Sequence, residues 1–120
     1  MGEEVERWWR QAKEDLKSAE VNFENNIYYV CAFLCQQSIE KGLKALLLKK
    51  TGKIRKIHDL VILAKSAELP VTRLANLKEM SLAYIYVRYP DVKQSIDLRK
   101  KAAQFLDTAK ETLKWLEENL

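Results

Sequence analysis

Apolar residues recur at Val5, Trp8, Trp9, Ala12, Leu16, Ala19 and Phe23, the i, i+3, i+4, i+7 spacing that gathers one face of an α-helix. The spacing predicts a first amphipathic helix over Glu3 to Glu24, with Glu3 and Glu4 at its electropositive start and "ENN" as its close. At ~1.5 Å per residue this is a rod of about 33 Å, the length of a small domain. A second helix, from Ile27 to Lys50, places Tyr28, Cys31, Ala32, Cys35, Ile39, Leu43, Leu46 and Leu47 on one stripe. Val30, Phe33 and Leu34 widen that stripe, so burial on more than one side is expected. Gly42 inside the helix costs ~1 kcal/mol relative to Ala, which implies a close helix approach there. Glu40 and Lys44 form an i, i+4 pair, and Gly52 stands where a left-handed cap belongs.

A short helix is expected from Asp59 to Ala67, with Leu60, Leu63 and Ala64 inward, and "ELPVT" breaks it. A fourth helix, Thr72 to Val87, would bury Leu74, Leu77, Met80 or Ser81, and Tyr84. In the last helix, Gln94 to Glu118, the stripe is Leu98, Ala102, Phe105, Leu106, Ala109, Leu113 and Leu116. No strand-like alternation or internal repeat interrupts the pattern, and short connections favour antiparallel neighbours. The expectation is all-α, an antiparallel up-and-down bundle of about five helices, four long and one short, forming a single domain over residues 1–120.

Composition narrows the function. Apolar residues make up 48% and charged residues 32%, and the net charge is +4 with 21 basic and 17 acidic residues interleaved. That excludes a uniform nucleic-acid coat but leaves room for a local anion site. Cys31 and Cys35 share a helix face and are expected to pack as core, and the single His58 has no ligand-spaced partner, so neither a metal nor a cofactor is expected. The start "MGEEVERWW" lacks the pattern of a signal peptide, and the run "IYYVCAFLC" is too short to span a bilayer. A cytoplasmic location is expected, with no membrane contact.

Three segments carry candidate chemistry. "KKTGKIRK" contributes Lys49, Lys50, Lys53, Arg55 and Lys56 without an acid; it is either a capped, solvated helix end or a contact for phosphate or an acidic partner. In "HDL", Asp59 suits a helix N-cap and His58 is a polar edge or a titratable group near neutral pH. "AYIYVRYPDVK" is the third. Pro90 biases Tyr89 toward extended geometry and ends the preceding helix near Arg88. There, Arg88 can clamp a phosphate, Tyr89 can stack on a base and Lys93 can add charge. The bland alternative pairs Arg88 with Asp91 and sends the tyrosines into the core. No glycine-rich phosphate loop, nucleophile elbow or paired metal-binding motif is present.

Taken in order, "WWRQAKEDLKSAE", "CQQSIEKGLKALLL", "HDL", "RYPD" and "AAQFLDTAKETLKWL" span nearly the whole chain, and together they resemble the HEPN family, named for its presence in higher eukaryotes and prokaryotes. The resemblance implies a bundle of about five helices that commonly forms homodimers, often beside a minimal nucleotidyltransferase in toxin–antitoxin pairs. Many members are metal-independent ribonucleases using an Arg, four to six residues and then a His, with two copies of the motif meeting at the dimer interface. Arg88 matches the first position. Lys93 stands at the second, and Gln94 and Ser95 follow. A lysine, with an ordinary pKa of about 10.4, grips anions but is a poor proton shuttle at neutral pH unless burial lowers it strongly.

The leading expectation is therefore a homodimeric binding module for a nucleotide, RNA or a nucleotidyltransferase partner, using Arg88, Tyr89, Asp91, Lys93, His58, Lys53 and Arg55. The alternative is a ribonuclease in which Arg88 stabilises charge and Lys93 or His58 moves the proton. A purely structural dimerisation domain is the third reading. His58 precedes Arg88 by a whole helix, and only tertiary folding can bring the two near each other.

Overall fold

The computed structural model describes residues 2–73, 75–91 and 97–120. Helix α1 runs Glu3–Glu24 and α2 Tyr28–Thr51. The short helices α3 (Leu60–Ser66), α4 (Leu77–Met80) and α5 (Tyr84–Arg88) follow, with a 3₁₀ turn at Val71–Arg73, and α6 is Leu98–Asn119. No strand occurs among the described residues.

Local chemistry sets each boundary. Glu3, Glu4 and Glu6 occupy the first turn of α1, where carboxylates complement the helix dipole. Its far end closes at Asn26, which takes a left-handed φ of 64°, a conformation asparagine tolerates better than most residues. The Ile27 N–H donates back to the Asn22 carbonyl at 2.8 Å, reversing the chain into α2. At the end of α2, Gly52 has φ 73° and its N–H reaches the Leu48 carbonyl at 2.8 Å, the expected glycine cap. The start expected at Gln94 lies outside the described residues; within them, the Asp97 side chain caps α6 by accepting from the Lys100 N–H at 3.1 Å.

α1 and α2 form an antiparallel hairpin. The loop after α2 comes back to place His58 beside Glu40, α3 then runs in the sense of α2 so that Ala67 meets Lys50, and α4 and α5 return to set Arg88 beside Gln36. α6 runs beside α2 in the same sense, with Leu116 near Gly42 and the Lys49 ammonium on the Leu120 carbonyl. The core sits where the three long helices meet and includes Trp9, Ile39, Leu43, Leu46, Phe105 and Leu116. Cys31 and Cys35 are fully buried in it. Their mutual hydrogen bond lowers the Cys31 pKa and, with burial, raises that of Cys35.

Gly42 is the close approach that its cost implied. A Cβ there would stand 2.7 Å from Leu116 Cδ1 and 3.5 Å from the Trp9 ring. Leu116 is fully buried, so it has little room to yield. Gly42→Ala is expected to lose up to about 2 kcal/mol, because overpacking of ~1–3 kcal/mol offsets or exceeds the ~1 kcal/mol gained in helix propensity. Chemical denaturation checks this, and a gain in stability would show that Leu116 moves aside.

The segment expected as one helix over 72–87 is divided. Ser81 Oγ turns back onto the Leu77 carbonyl at 3.0 Å and also accepts the Leu60 N–H at 2.9 Å. A turn over residues 81–83 then shifts the helical phase. Leu77 and Met80 are buried as expected, but Tyr84 is 40% exposed, and Ala83 and Tyr86 face inward instead. Tyr86 stacks on Phe105 at 6.5 Å. Leu74 lies outside the described residues.

Candidate functional site at the α2–α5 cleft

The central helix carries an unusual polar stripe. Gln36 and Glu40 are buried on α2 among apolar neighbours, and a buried carboxylate persists only when other groups satisfy it. Gln36 Nε2 donates to Glu40 Oε1 at 2.9 Å, and the Lys44 ammonium reaches Oε2 at 3.1 Å. Gln37 Nε2 donates in turn to Gln36 Oε1 at 2.8 Å. Lys44 also lies 5.8 Å from the centre of the Trp8 ring, close enough for a cation–π contact.

The fourth partner of this network is His58. Its Nδ1 stands 3.0 Å from Glu40 Oε2, while its side chain is 79% exposed against 8% for Glu40. An ionised carboxylate can only accept, so Nδ1 carries the proton and Nε2 of a neutral ring is left as a free acceptor. The backbone that follows the ring is fixed as well. Asp59 caps α3 by accepting from the N–H groups of Val61 at 2.9 Å and Ile62 at 3.1 Å. The Leu60 N–H bond to Ser81 Oγ then fastens this loop to the turn that leads into α5.

Arg88 closes the opposite side. Helix α5 ends on it, and Tyr89 adopts φ −125° and ψ 105°, the extended form that Pro90 imposes. The Arg88 guanidinium lies 5.6 Å from the Tyr84 ring centre and makes no ion pair with Asp91 or any other carboxylate among the described residues. It is therefore free to meet an anion. Gln36, Gln37, Glu40, His58, Tyr84 and Arg88 line one cavity of about 470 Å³, within the range of small-ligand pockets.

Folding thus brings Arg88 and His58 to the same cavity, across a separation in sequence that spacing could not bridge. Tyr89 is 52% exposed and, like Asp91, is not part of the lining. Lys53 and Arg55 do not line it either; Arg55 donates to Ser66 Oγ at 2.6 Å, and Lys50 reaches the Ala67 carbonyl at 3.3 Å. Arg55 therefore ties the α2–α3 loop to α3, and Lys50 ties the end of α2 to the end of α3. Lys93 lies outside the described residues. Gln36, Gln37 and Glu40 join the site beyond the residues expected from the sequence, where polar groups on a broadly apolar helix are the readable signal for them. No cluster of metal-ligating side chains occurs among the described residues, and no described helix is long and apolar enough to cross a membrane.

Comparison with known proteins agrees with this architecture. The structure is similar to that of TT1696 from Thermus thermophilus, with a TM-score of 0.84 and 27% identity over 97% of this chain and 98% of the other. It is also similar to ST0689, an archaeal HEPN homologue, with a TM-score of 0.77 and 28% identity over 95% of each chain. No curated protein matches. The HEPN domain profile matches residues 5–119, and the chain belongs to the HEPN domain family.

Proposed function

We propose that the α2–α5 cleft binds a phosphate-bearing nucleotide or RNA segment. The observation that carries this reading is the convergence of an arginine without a carboxylate partner among the described residues and an oriented histidine on one cavity. Arg88 supplies a planar, always charged fork for a phosphate. The half-buried Gln37 amide offers its Oε1 as an acceptor for a base or sugar, and Tyr84 and Tyr89, both partly exposed, supply rings at the rim. Lys93 adds a second cation on this reading.

The active form is a homodimer. Val30 and Phe33 lie on the face of α2 that leads to Gln37 and are only half-buried, while Leu82 and Val87 beside the cleft are 50% and 42% exposed. An apolar rim of this kind supports pairing of two copies around the site. A minimal nucleotidyltransferase is the proposed partner in a toxin–antitoxin-like pair acting in the cytoplasm, with the whole chain as one domain.

A second reading is favoured by the His58–Glu40 contact, which is the arrangement of an oriented general base. In that reading Nε2 of His58 takes the proton of an attacking hydroxyl while Arg88 stabilises the phosphorane charge. Incubation of labelled oligoribonucleotide with the protein in chelator separates the two readings. Binding without cleavage is the expected result, and His58→Ala is expected to weaken it severalfold. Cleavage that disappears in both His58→Ala and Arg88→Ala, but persists in Lys53→Ala, would replace the binding module with a ribonuclease. The absence of any saturable interaction would leave only the structural dimerisation domain.

A further inference from the structure

Helices α1 and α6 are antiparallel and touch each other less extensively than either touches α2. On the side away from α2 they leave a groove of about 520 Å³. Its floor is Trp9, Leu16 and Leu113, and its walls are Lys13 and Lys17 from α1 with Lys110 and Lys114 from α6. These four lysines are exposed, and none is ion-paired among the described residues. Lys13 only covers Trp9, at 5.6 Å from the ring centre. The carboxylates that share the groove, Glu20 and Glu117, are outnumbered two to one.

We infer that this groove docks an acidic, amphipathic helix of a partner protein. Each wall carries lysines one turn apart, so carboxylates at i, i+4 on an incoming helix meet them in register, while its apolar stripe covers half-buried Leu16 and the lysine stems. A helix laid there adds a fourth long rod to the three of the bundle. Nucleic acid is disfavoured by the same chemistry. Among the described residues the groove has no arginine to grip phosphate in two places, and Trp9 is only 4% exposed, so its ring is not offered for a base to stack on.

The probe is a fluorescein-labelled synthetic helix with leucine on one face and glutamate flanking it, followed by anisotropy. The controls are a scrambled peptide of the same composition, a charge-reversed peptide with lysine for glutamate, and a labelled oligoribonucleotide. Saturable one-to-one binding of the acidic helix is expected. It should weaken at least tenfold with the scrambled or reversed peptide and in Lys13→Glu/Lys114→Glu, and remain unchanged in Arg88→Ala, whose cleft is a separate site. Circular dichroism of the double variant confirms the helical fold, and the peptide controls on the wild-type chain stand independently of it. Equal binding of scrambled and designed peptides, no saturation, or lysine reversal that abolishes oligoribonucleotide binding while sparing the peptide would each overturn the proposal.

Discussion

Lys44→Ala is expected to lower the unfolding free energy by about 3–5 kcal/mol, the cost of stranding a buried charge. The Lys44 and Glu40 side chains are only 5% and 8% exposed, and their ammonium and carboxylate are 3.1 Å apart. Read from sequence, the same pair is an ordinary surface contact worth ~0.2–0.5 kcal/mol. Burial changes the scale. Removing the lysine leaves the Glu40 carboxylate with Gln36 and His58 as its remaining partners and empties the cation position over Trp8. Against a total stability of ~5–15 kcal/mol, the loss is large enough to populate unfolded protein. Chemical denaturation measures it, with Glu40→Gln/Lys44→Met as the control that removes both charges and should recover most of the loss. A cost below about 1 kcal/mol would mean that water reaches the pair as it reaches a surface bridge.

Arg88→Ala is expected to act on binding and leave folding alone. The guanidinium is exposed, pairs with no carboxylate among the described residues and rests over Tyr84, so its removal should change stability by no more than ~0.5 kcal/mol. Loss of a charge-assisted phosphate contact is worth ~2 kcal/mol or more, about a thirtyfold rise in Kd for an oligoribonucleotide. Parallel anisotropy titrations and thermal melts provide both numbers. Equal affinity with an equal melting temperature would remove Arg88 from the site. Weakened binding together with a lower melting temperature would reassign Arg88 to a structural role.

The long helices were legible because each buries a continuous stripe against neighbours of similar length, so periodicity and burial coincide. α1 ends at Glu24, and α2 lies within one residue of its expected bounds at each end. The middle of the chain was less legible for a specific reason. Leu77, Met80 and Tyr84 keep helical spacing across the break, and at the break Ser81 Oγ accepts from Leu60, a partner supplied by tertiary structure.

The cleft divides in the same way. The end of α5 at Arg88 followed from Pro90, and the cap at Asp59 followed from its residue type. The meeting of His58 with Glu40 depends on α3 packing against α2, which no local pattern encodes. Once a buried glutamate is seen on α2, a search for its cation and its donors leads directly to Lys44, Gln36 and His58.

The central claim is that Arg88 and His58 hold the same ligand. Nuclear magnetic resonance of the His58 ring during titration with a nucleoside monophosphate tests it most directly, because His58 is the chain's single histidine and its signals need no further assignment. The account predicts a saturable shift of the His58 resonances in the wild-type protein that disappears in Arg88→Ala. A ligand that binds with undiminished affinity while the His58 signals stay fixed would contradict it.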